Sequence, residues 1–230
     1  MQELAQLEKA LNIEFANKDL LTQAFTHRSY LNENPDSGLQ HNERMEFLGD
    51  AVLELVVTEY LYKNYPDKPE GELTTWRAAL VNARMLSVIA KDLNVGDYLL
   101  LSKGETRETG KARDYILANA MEALIGAVYL DQGLKTCKKI IEQYILSRLG
   151  QILKEKLFED AKSHFQELAQ EKTGITPSYQ VLAEWGPDHQ KQFRVGILLE
   201  KDLVAEGEGT SKQEAEQEAA RNALEQKRWE

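Results

Sequence analysis

Residues 41–62 read HNERMEFLGDAVLELVVTEYLY, and this stretch decides the kind of fold that the chain forms. Its apolar residues recur at three- and four-residue steps, which predicts a helix with a buried face. Three acids nevertheless interrupt it at the same spacing: Glu43, Glu46 and Asp50. At about 100° per residue, Glu46 lies about 60° from Glu43, and Asp50 about 40° from Glu46. The acids therefore form one stripe, and because like charges at this spacing repel, something positive is expected to face them.

A second helix is predicted for residues 116–130, ILANAMEALIGAVYL. Its one ionisable side chain before the final tyrosine is Glu122, in the middle of an apolar run, and Asn119 lies one turn earlier. Gly126 would permit close packing against another helix, conceivably the one that carries Glu46 and Asp50. Such packing would gather an all-oxygen set of side chains, and hard oxygen ligands favour Mg²⁺ or Mn²⁺ over zinc.

The alternative is that each acid pairs with a basic residue, such as Arg44 or Arg77, or points to solvent. For one isolated acid that alternative is the better interpretation. Three acids on one stripe, together with a lone glutamate inside an apolar helix, favour metal binding instead.

Composition sets limits on the class of protein. The chain has 230 residues, of which 42% are hydrophobic and 29% charged, as in an ordinary globular protein of one large or two modest domains. No apolar stretch is long enough to span a membrane, and the first residues lack the order of a signal peptide. Cys137 is the only cysteine, which excludes an intramolecular disulfide and fits a cytoplasmic location.

The net charge of −10 argues against a general polyanion binder, because phosphate contacts need lysine and arginine. A carboxylate-rich metal site adds negative charge without forbidding a basic surface elsewhere. Residues 160–230 also hold more acidic than basic side chains. Any nucleic-acid contacts made there must be few and well placed.

The chain changes character near Gly150. Before it the pattern is helical, with Asn17 as a predicted N-cap and an exposed, mobile loop predicted for residues 102–114. After it we predict a short linker and then a compact α-β-β-β-α module. The first helix of that module is predicted over residues 161–172.

Three strands are expected in the module. On the first, Tyr179, Val181, Ala183 and Trp185 are predicted to share one face; on the second, Phe193, Val195, Ile197 and Leu199 are. A turn at GPDHQ (186–190) separates them, and the third strand is predicted over residues 202–206. A closing helix presents a stripe of alanines, which would let it sit close to the sheet.

These motifs resemble the ribonuclease III family. HNERMEFLGDAVL (41–53) is similar to its signature, and ILANAMEALIGAVYLDQG (116–133) to its second conserved stretch. Shorter matches are LTQAFTHRSY (21–30), EGELT (70–74) and RAALV (77–81). SHFQELAQ (163–170), PSYQV (177–181) and GTSKQEAEQEAARNAL (209–224) are similar to the double-stranded-RNA-binding domain. The resemblance implies an all-α nuclease domain over 1–150, a linker over 151–159 and an αβββα RNA-binding domain over 160–228.

The resemblance also implies the site. The magnesium-binding positions of the family fall on Glu46, Asp50, Glu122 and Asn119, with Asp50 and Glu122 as catalytic residues and Mn²⁺ as a substitute ion. The family usually has aspartate at position 119; asparagine offers a carbonyl oxygen but no charge, and we interpret it as a tolerated variant. Two further acids match positions that the family uses for additional metal, RNA or subunit contacts; they are Glu43 and Glu70.

The implied activity is magnesium-dependent hydrolysis of double-stranded RNA, such as ribosomal RNA precursors and structured transcripts. The products would carry 5′-phosphate and 3′-hydroxyl ends with two-nucleotide 3′ overhangs. A homodimer is implied as well, and the apolar residues of the helix over 45–62 would suit either its interface or the core.

The resemblance places RNA contacts at three points of the second domain. These are the first helix (Gln166, Glu167), the turn after the first strand (Pro187, Asp188, His189) and the N-terminus of the last helix (Ser211, Lys212). A-form RNA is contacted through shape, 2′-hydroxyls and phosphates, because side chains cannot read its narrow major groove. The low local positive charge predicts weak, strongly salt-sensitive binding.

Other polar and aromatic residues are interpreted as structural. His27 and Arg28 lack a paired nucleophile, so we expect structural hydrogen bonding there, and we expect packing for Trp76 and Trp229. Two alternatives to the nuclease remain open. One is a duplex-RNA binder with a site disabled at Asn119, and the other is a regulatory dimer whose acidic cleft binds a protein.

Overall fold

The structure is a computed structural model, and it describes residues 2–154, 161–187 and 191–229. The chain divides into two compact units, Met1–Phe158 and Glu159–Glu230. Each has a hydrophobic core of its own. The domain boundaries 1–150 and 160–228 stay a prediction.

The first unit is helical, as expected. Its helices are α1 (Gln2–Leu11), α2 (Lys18–Ala24), α3 (Arg28–Glu33), α4 (Glu43–Asn64), α5 (Glu70–Val81), α6 (Ala83–Asp92), α7 (Gly110–Gln132), α8 (Leu134–Tyr144) and α9 (Leu149–Lys154). The predicted cap of α2 is confirmed, since the Asn17 side chain accepts a hydrogen bond from the Asp19 amide at 3.0 Å. Residues 151–154, which the sequence assigned to the linker, lie in α9, and Ile152 is fully buried in the core of this unit.

The centre of the first unit is α7. From Leu117 to Val128 all its residues are buried except Asn119 and Glu122, which are half-buried. The helix begins at Gly110 rather than near residue 116, so the end of the predicted loop is helical. The loop assignment was wrong there because the segment is polar and exposed, and periodicity of apolar residues cannot mark such a turn of helix.

A short backbone network holds the start of α4 in place. Thr26 and Leu100 form an isolated parallel bridge, and the His27 amide donates to the Leu100 carbonyl at 3.0 Å. The Asn42 amide in turn donates to the Thr26 carbonyl at 2.9 Å. The segments before α3 and α4 are thereby fixed against each other.

The second unit confirms the predicted α-β-β-β-α order. It contains α10 (Ala161–Thr173), β1 (Ser178–Trp185), β2 (Gln192–Leu199), β3 (Asp202–Gly209) and α11 (Lys212–Lys227). The strands form an antiparallel sheet in the order β1-β2-β3, and β3 extends three residues beyond its predicted end. The fold class, an all-α domain followed by an αβββα domain, is therefore the one predicted.

The predicted face of β1 is wrong in its second half. Val181 pairs with the buried Val195, but the register shifts after it, so that Ala183 pairs with the exposed Arg194. A bulge of this kind inserts one residue and reverses the faces that follow. Trp185 consequently lies beside Arg194, whose guanidinium carbon is 5.7 Å from the centre of its ring.

The alanine stripe of α11 packs on the sheet as expected. Its members Ala215, Ala219, Ala220 and Ala223 are fully buried. A Cβ atom added to Gly207 of β3 would lie 2.1 Å from the Ala219 nitrogen, so strand and helix touch through backbone atoms. Small residues on both sides make that approach possible.

Several structural interpretations are confirmed. Trp76 is 5% exposed and packs edge-on against Tyr65, and Trp229 stacks on Phe165 with ring centres 5.4 Å apart. Cys137 is buried, which raises the pKa of its thiol to about 12. Within the described residues, no helix has the length and apolar character needed to cross a membrane.

Candidate active site

Two glycines bring the acid-bearing helices α4 and α7 into backbone contact. A Cβ atom added to Gly49 would lie 1.7 Å from the Glu122 carbonyl oxygen, and one added to Gly126 would lie 2.3 Å from that of Met45. The two contacts occur in opposite order along the two helices, so the helices run in opposite directions where they cross. The close packing predicted for Gly126 is confirmed, and the crossing lies between Glu46 and Asp50.

The crossing brings Glu46 and Asp50 close enough to Glu122 for their charges to act on it, and Asn119 lies one turn before Glu122 on α7. Glu46, Asn119 and Glu122 are half-buried, while Asp50 is exposed. Helix geometry sets this pattern, because Glu46 and Asp50 flank the glycine that contacts the backbone of Glu122. The acids thus stand at the edge of the core, where an ion and a phosphate can reach them from solvent.

The acids repel one another in this arrangement. Burial, and then the charges of Asp50 and Glu46, raise the pKa of Glu122 to about 7. Burial, and then the charges of Glu43 and Asp50, also raise the pKa of Glu46. Burial and mutual repulsion therefore both disfavour the charged forms of these two acids. The positive partner that the sequence led us to expect is found at Glu43, described below, rather than at Glu46 or Glu122.

The donor set fits a hard divalent cation. Among the described residues, no three His, Cys, Asp or Glu side chains form a preassembled cluster that could hold a metal. Mg²⁺ does not require one, because it is usually held by one or two carboxylates together with water and substrate phosphates. An ion at the crossing would also relieve the repulsion that raises the pKa of Glu122.

Glu43 has different surroundings from the other acids of α4. Its Oε1 atom lies 3.3 Å from Nη1 of Arg28, and its Oε2 atom lies 3.7 Å from Nδ1 of His41. Sequence analysis missed this contact, since Arg28 precedes Glu43 by 15 residues and no local pattern joins them. His27 instead has the expected structural role: its ring Nδ1 accepts from the Ser29 amide and caps α3.

Glu70 lies apart from the crossing within this unit. It begins α5 and accepts a hydrogen bond from the Thr74 hydroxyl at 2.9 Å. It lines a cavity of about 710 Å³ together with Leu61 and Tyr62, near the C-terminal end of α4. Since Leu61 follows Asp50 by 11 residues, the two points are about 16 Å apart along the helix.

The predicted RNA contacts of the second unit lie on its surface. Gln166 and Glu167 are exposed on α10, and Pro187 is exposed after β1; Asp188 and His189 lie outside the described residues. Ser211 caps α11 by accepting from the Glu214 amide at 3.2 Å, and Lys212 is exposed beside it.

Comparison with known proteins decides the family. A profile described as ribonuclease-III-like matches residues 17–149, more than half of the chain. Ribonuclease 3 of Pelotomaculum thermopropionicum is 46% identical over 221 residues, which cover 96% of this chain and 92% of that protein. Ribonuclease 3 of Streptococcus pneumoniae is 45% identical, covering 95% and 94% of the two chains. The chain belongs to the ribonuclease III family.

The second unit of this ribonuclease III family member matches the double-stranded RNA binding motif over residues 161–227. The first resembles the nuclease domain of ribonuclease III from Campylobacter jejuni, with a TM-score of 0.58 and 42% identity over 64% of this chain and 97% of that one. A second structure of that domain, with a TM-score of 0.56 and 44% identity, covers 61% and 94% of the two chains. That second structure shows structural flexibility in a region involved in dimer formation of the Campylobacter jejuni domain.

This ribonuclease III chain exposes a row of large apolar side chains on α4. Phe47 is 81% exposed, Leu55 is 56% exposed and Tyr62 is 74% exposed. The sequence left open whether such residues belong to the core or to an interface. Their exposure removes them from the core of this unit.

Proposed function

We propose that this member of the ribonuclease III family, a double-stranded-RNA endonuclease, hydrolyses phosphodiester bonds with Mg²⁺. We infer that its products carry 5′-phosphate and 3′-hydroxyl ends with two-nucleotide 3′ overhangs. Ribosomal RNA precursors and structured transcripts in the cytoplasm are the proposed substrates.

One observation carries the proposal: the contact of Gly49 with the backbone of Glu122. It puts the segment between Glu46 and Asp50 against the backbone of Glu122, and the charges of both acids raise the pKa of Glu122. Half-buried carboxylates that repel one another destabilise the fold unless an opposite charge faces them. A functional cation offers the reason for keeping them.

Each residue has a role in this proposal. Glu46, Asp50 and Glu122 hold the ion, and Asn119 offers its carbonyl oxygen or orients a water. When bound, the ion polarises the scissile phosphate and makes water a stronger nucleophile at neutral pH. Asp50 is exposed whereas Glu46 and Glu122 are half-buried, so Asp50 is suited to accept a hydrogen bond from the attacking water. The chain needs no serine or cysteine nucleophile.

Duplex RNA has two strands, and one site cuts one of them. We infer a homodimer in which two sites act on opposite strands. The exposed side chains of Phe47, Leu55 and Tyr62 support an interface along α4, because large apolar patches on a protein surface mark interaction sites. The location of Glu70 near Tyr62 favours a subunit contact over a metal contact for this acid.

The second unit supplies duplex binding. We propose that Gln166, Glu167 and the loop of Pro187, Asp188 and His189 contact successive minor grooves. The phosphates between them lie at the N-terminus of α11, where the helix dipole and Lys212 favour negative charge. Glu214 occupies part of that end by accepting from the Thr210 amide at 2.9 Å, which supports weak binding by this unit alone.

Cleavage of a perfect RNA duplex in Mg²⁺ tests the proposal, with wild type, Glu122→Ala and Asn119→Asp compared. Cleavage by wild type that is lost in Glu122→Ala would support the metal site and make Asn119 a tolerated variant. A wild type that binds the duplex without cutting it, alongside an Asn119→Asp variant that cuts, would overturn the proposal. The protein would then be a duplex binder with a disabled site.

A further inference from the structure

The side chain of Arg28 stands beside the acidic stripe and belongs to no part of the mechanism above. Its Nη1 atom lies 3.3 Å from the Glu43 carboxylate, and 66% of the side chain is exposed. A guanidinium has five N–H donors, and this contact occupies one nitrogen of three. Because most of the side chain is exposed, its remaining donors can reach a ligand that approaches from solvent.

The position of Arg28 is fixed at both ends. Its backbone begins α3, directly after His27, whose amide is bonded to Leu100 and whose ring caps the helix. Its side chain is held by Glu43, which begins α4. Because Asn42 is bonded to Thr26, the starts of the two helices cannot drift apart without breaking that bond. The backbone of Arg28 is therefore fixed, and its side chain has an ion-pair partner on the neighbouring helix.

The charge of Arg28 is suited to binding a phosphate near the acidic stripe. A phosphate that approaches the acidic stripe meets the carboxylates of Glu46 and Asp50, so a cation beside the stripe would favour its approach. Glu43, the partner of Arg28, precedes Glu46 by three residues, which is about one helical turn or about 5 Å along the axis of α4. Guanidinium groups bind phosphates through paired N–H donors, which fixes the geometry of the phosphate as well as attracting it.

We propose that Arg28 is a positioning residue that binds a backbone phosphate of the duplex next to the scissile one. Glu43 acts through Arg28 by orienting its guanidinium, rather than by ligating metal. His41, with Nδ1 3.7 Å from the other Glu43 oxygen, limits the rotation of the same carboxylate. This inference rests on the proposed function, and it assigns Glu43 one of the roles that the family resemblance left open.

Two simpler roles for the Arg28–Glu43 pair predict different measurements. A surface ion pair that only stabilises the fold contributes little, and its loss would alter melting without altering RNA binding. A metal-ligating Glu43 would make the Mg²⁺ concentration for half-maximal cleavage depend on Glu43 whatever stands at position 28. A phosphate-binding arginine predicts instead a change in KM and in the salt dependence of binding.

The test compares wild type with Arg28→Ala, Arg28→Lys, Glu43→Gln and the double variant, all as full chains. Cleavage kinetics are measured in Mg²⁺, and duplex binding is measured against salt concentration in Ca²⁺. Arg28→Ala is expected to raise KM about tenfold with kcat nearly unchanged, and to reduce the salt slope of binding by about one. Arg28→Lys should keep the salt slope and lose part of the affinity for the duplex, because lysine retains the charge but lacks the paired N–H donors of the guanidinium.

Arg84→Ala is the matched control, since it removes the same charge from an exposed position on α6. It should leave KM and the salt slope unchanged. Glu43→Gln should raise KM in the wild-type background and have little further effect in Arg28→Ala, without moving the Mg²⁺ requirement. Additive effects, an altered Mg²⁺ requirement or an unchanged salt slope would each overturn the proposal. Absence of cleavage by wild type would contradict the proposed function alone, because the binding arm still reports on Arg28.

Discussion

At the residue scale, the decisive feature is a glutamate whose environment disfavours its charge. Glu122 is half-buried on α7 and faces the charges of Asp50 and Glu46, which together with burial raise its pKa from 4.5 to about 7. The folded protein therefore binds this proton more tightly than the unfolded chain does. Between these two pKa values, raising the pH must lower the free energy of unfolding.

Glu122→Gln should consequently stabilise the protein in a pH-dependent way when divalent metals are removed with EDTA. Below about pH 4.5 both states of the wild type hold the proton, and the two proteins should melt at similar temperatures. As the pH rises through about 7, wild type loses that contribution and the variant does not. The difference in Tm between variant and wild type should grow over this window, by roughly 2–4 °C for each kcal/mol of difference in the free energy of unfolding.

Glu142→Gln on α8 is the control, because Glu142 is exposed. Its melting difference from wild type should not grow across the same pH range. Addition of Mg²⁺ at pH 8 should stabilise wild type more than Glu122→Gln, since a ligand stabilises the state that binds it. Melting differences that stay constant from pH 4.5 to pH 8 would show that the charge of Glu122 is not disfavoured in the folded state.

At the scale of elements, the site depends on how closely α4 and α7 approach. The Cβ of an alanine at position 49 would lie 1.7 Å from the Glu122 carbonyl oxygen, and neither backbone can yield as a side chain could. Gly49→Ala must force the helices apart, at a cost of about 3 kcal/mol or more in the free energy of unfolding. The same separation moves Glu46 and Asp50 away from Glu122. The cleavage rate should therefore fall even under conditions in which the variant remains folded.

Gly150→Ala provides the comparison for denaturant melts of this variant. Gly150 lies in α9 with nothing within 4 Å of an added Cβ, so alanine should be neutral or stabilise by about 0.5–1 kcal/mol. If both variants unfold at the denaturant concentration of wild type, the helices are not in backbone contact at Gly49.

The elements also show how far the sequence could predict the structure. Apolar periodicity identified α4 and α7, and the acids within them stood out because charge inside an apolar helix is costly. The contact of Gly49 with Glu122 was partly foreseeable, since Gly126 indicated a close crossing, conceivably with the helix of Glu46 and Asp50, but nothing in the sequence identified Gly49 as the residue in contact. The start of α7 at Gly110 was missed, because an exposed turn of helix carries no apolar pattern.

Two further features depended on contacts between distant parts of the chain. The bulge after Val181 reverses the faces of β1, and alternation in sequence cannot reveal an extra residue in a strand. The pairing of Arg28 with Glu43 depends on the backbone bonds that join the segments before α3 and α4. Local sequence patterns could predict neither feature, because each depends on how distant segments pack together.

At the scale of the whole molecule, the chain combines an acidic site with a binding unit that has little positive charge. With a net charge of −10, duplex RNA is not attracted by the protein as a whole. Affinity would then come from a few placed cations and from the proposed dimerisation, which would double the contacts to one duplex. The proposed homodimer would thus serve binding as well as the cutting of both strands.

The apolar row on α4 gives this proposal a direct test. Leu55 and Tyr62 are more than half exposed, and their burial against a second copy would stabilise a dimer. Tyr62→Asp should weaken the dimer at least about thirtyfold, as expected for an interface aromatic worth about 2 kcal/mol, and sedimentation would then detect monomers. Val88→Asp, at an apolar position of α6 that is 43% exposed, should leave the dimer intact.

Monomeric Tyr62→Asp should bind duplex RNA less tightly and nick single strands in place of cutting both, because each chain carries one site. A Tyr62→Asp protein that still sediments as the wild-type dimer would place the interface elsewhere on the nuclease domain.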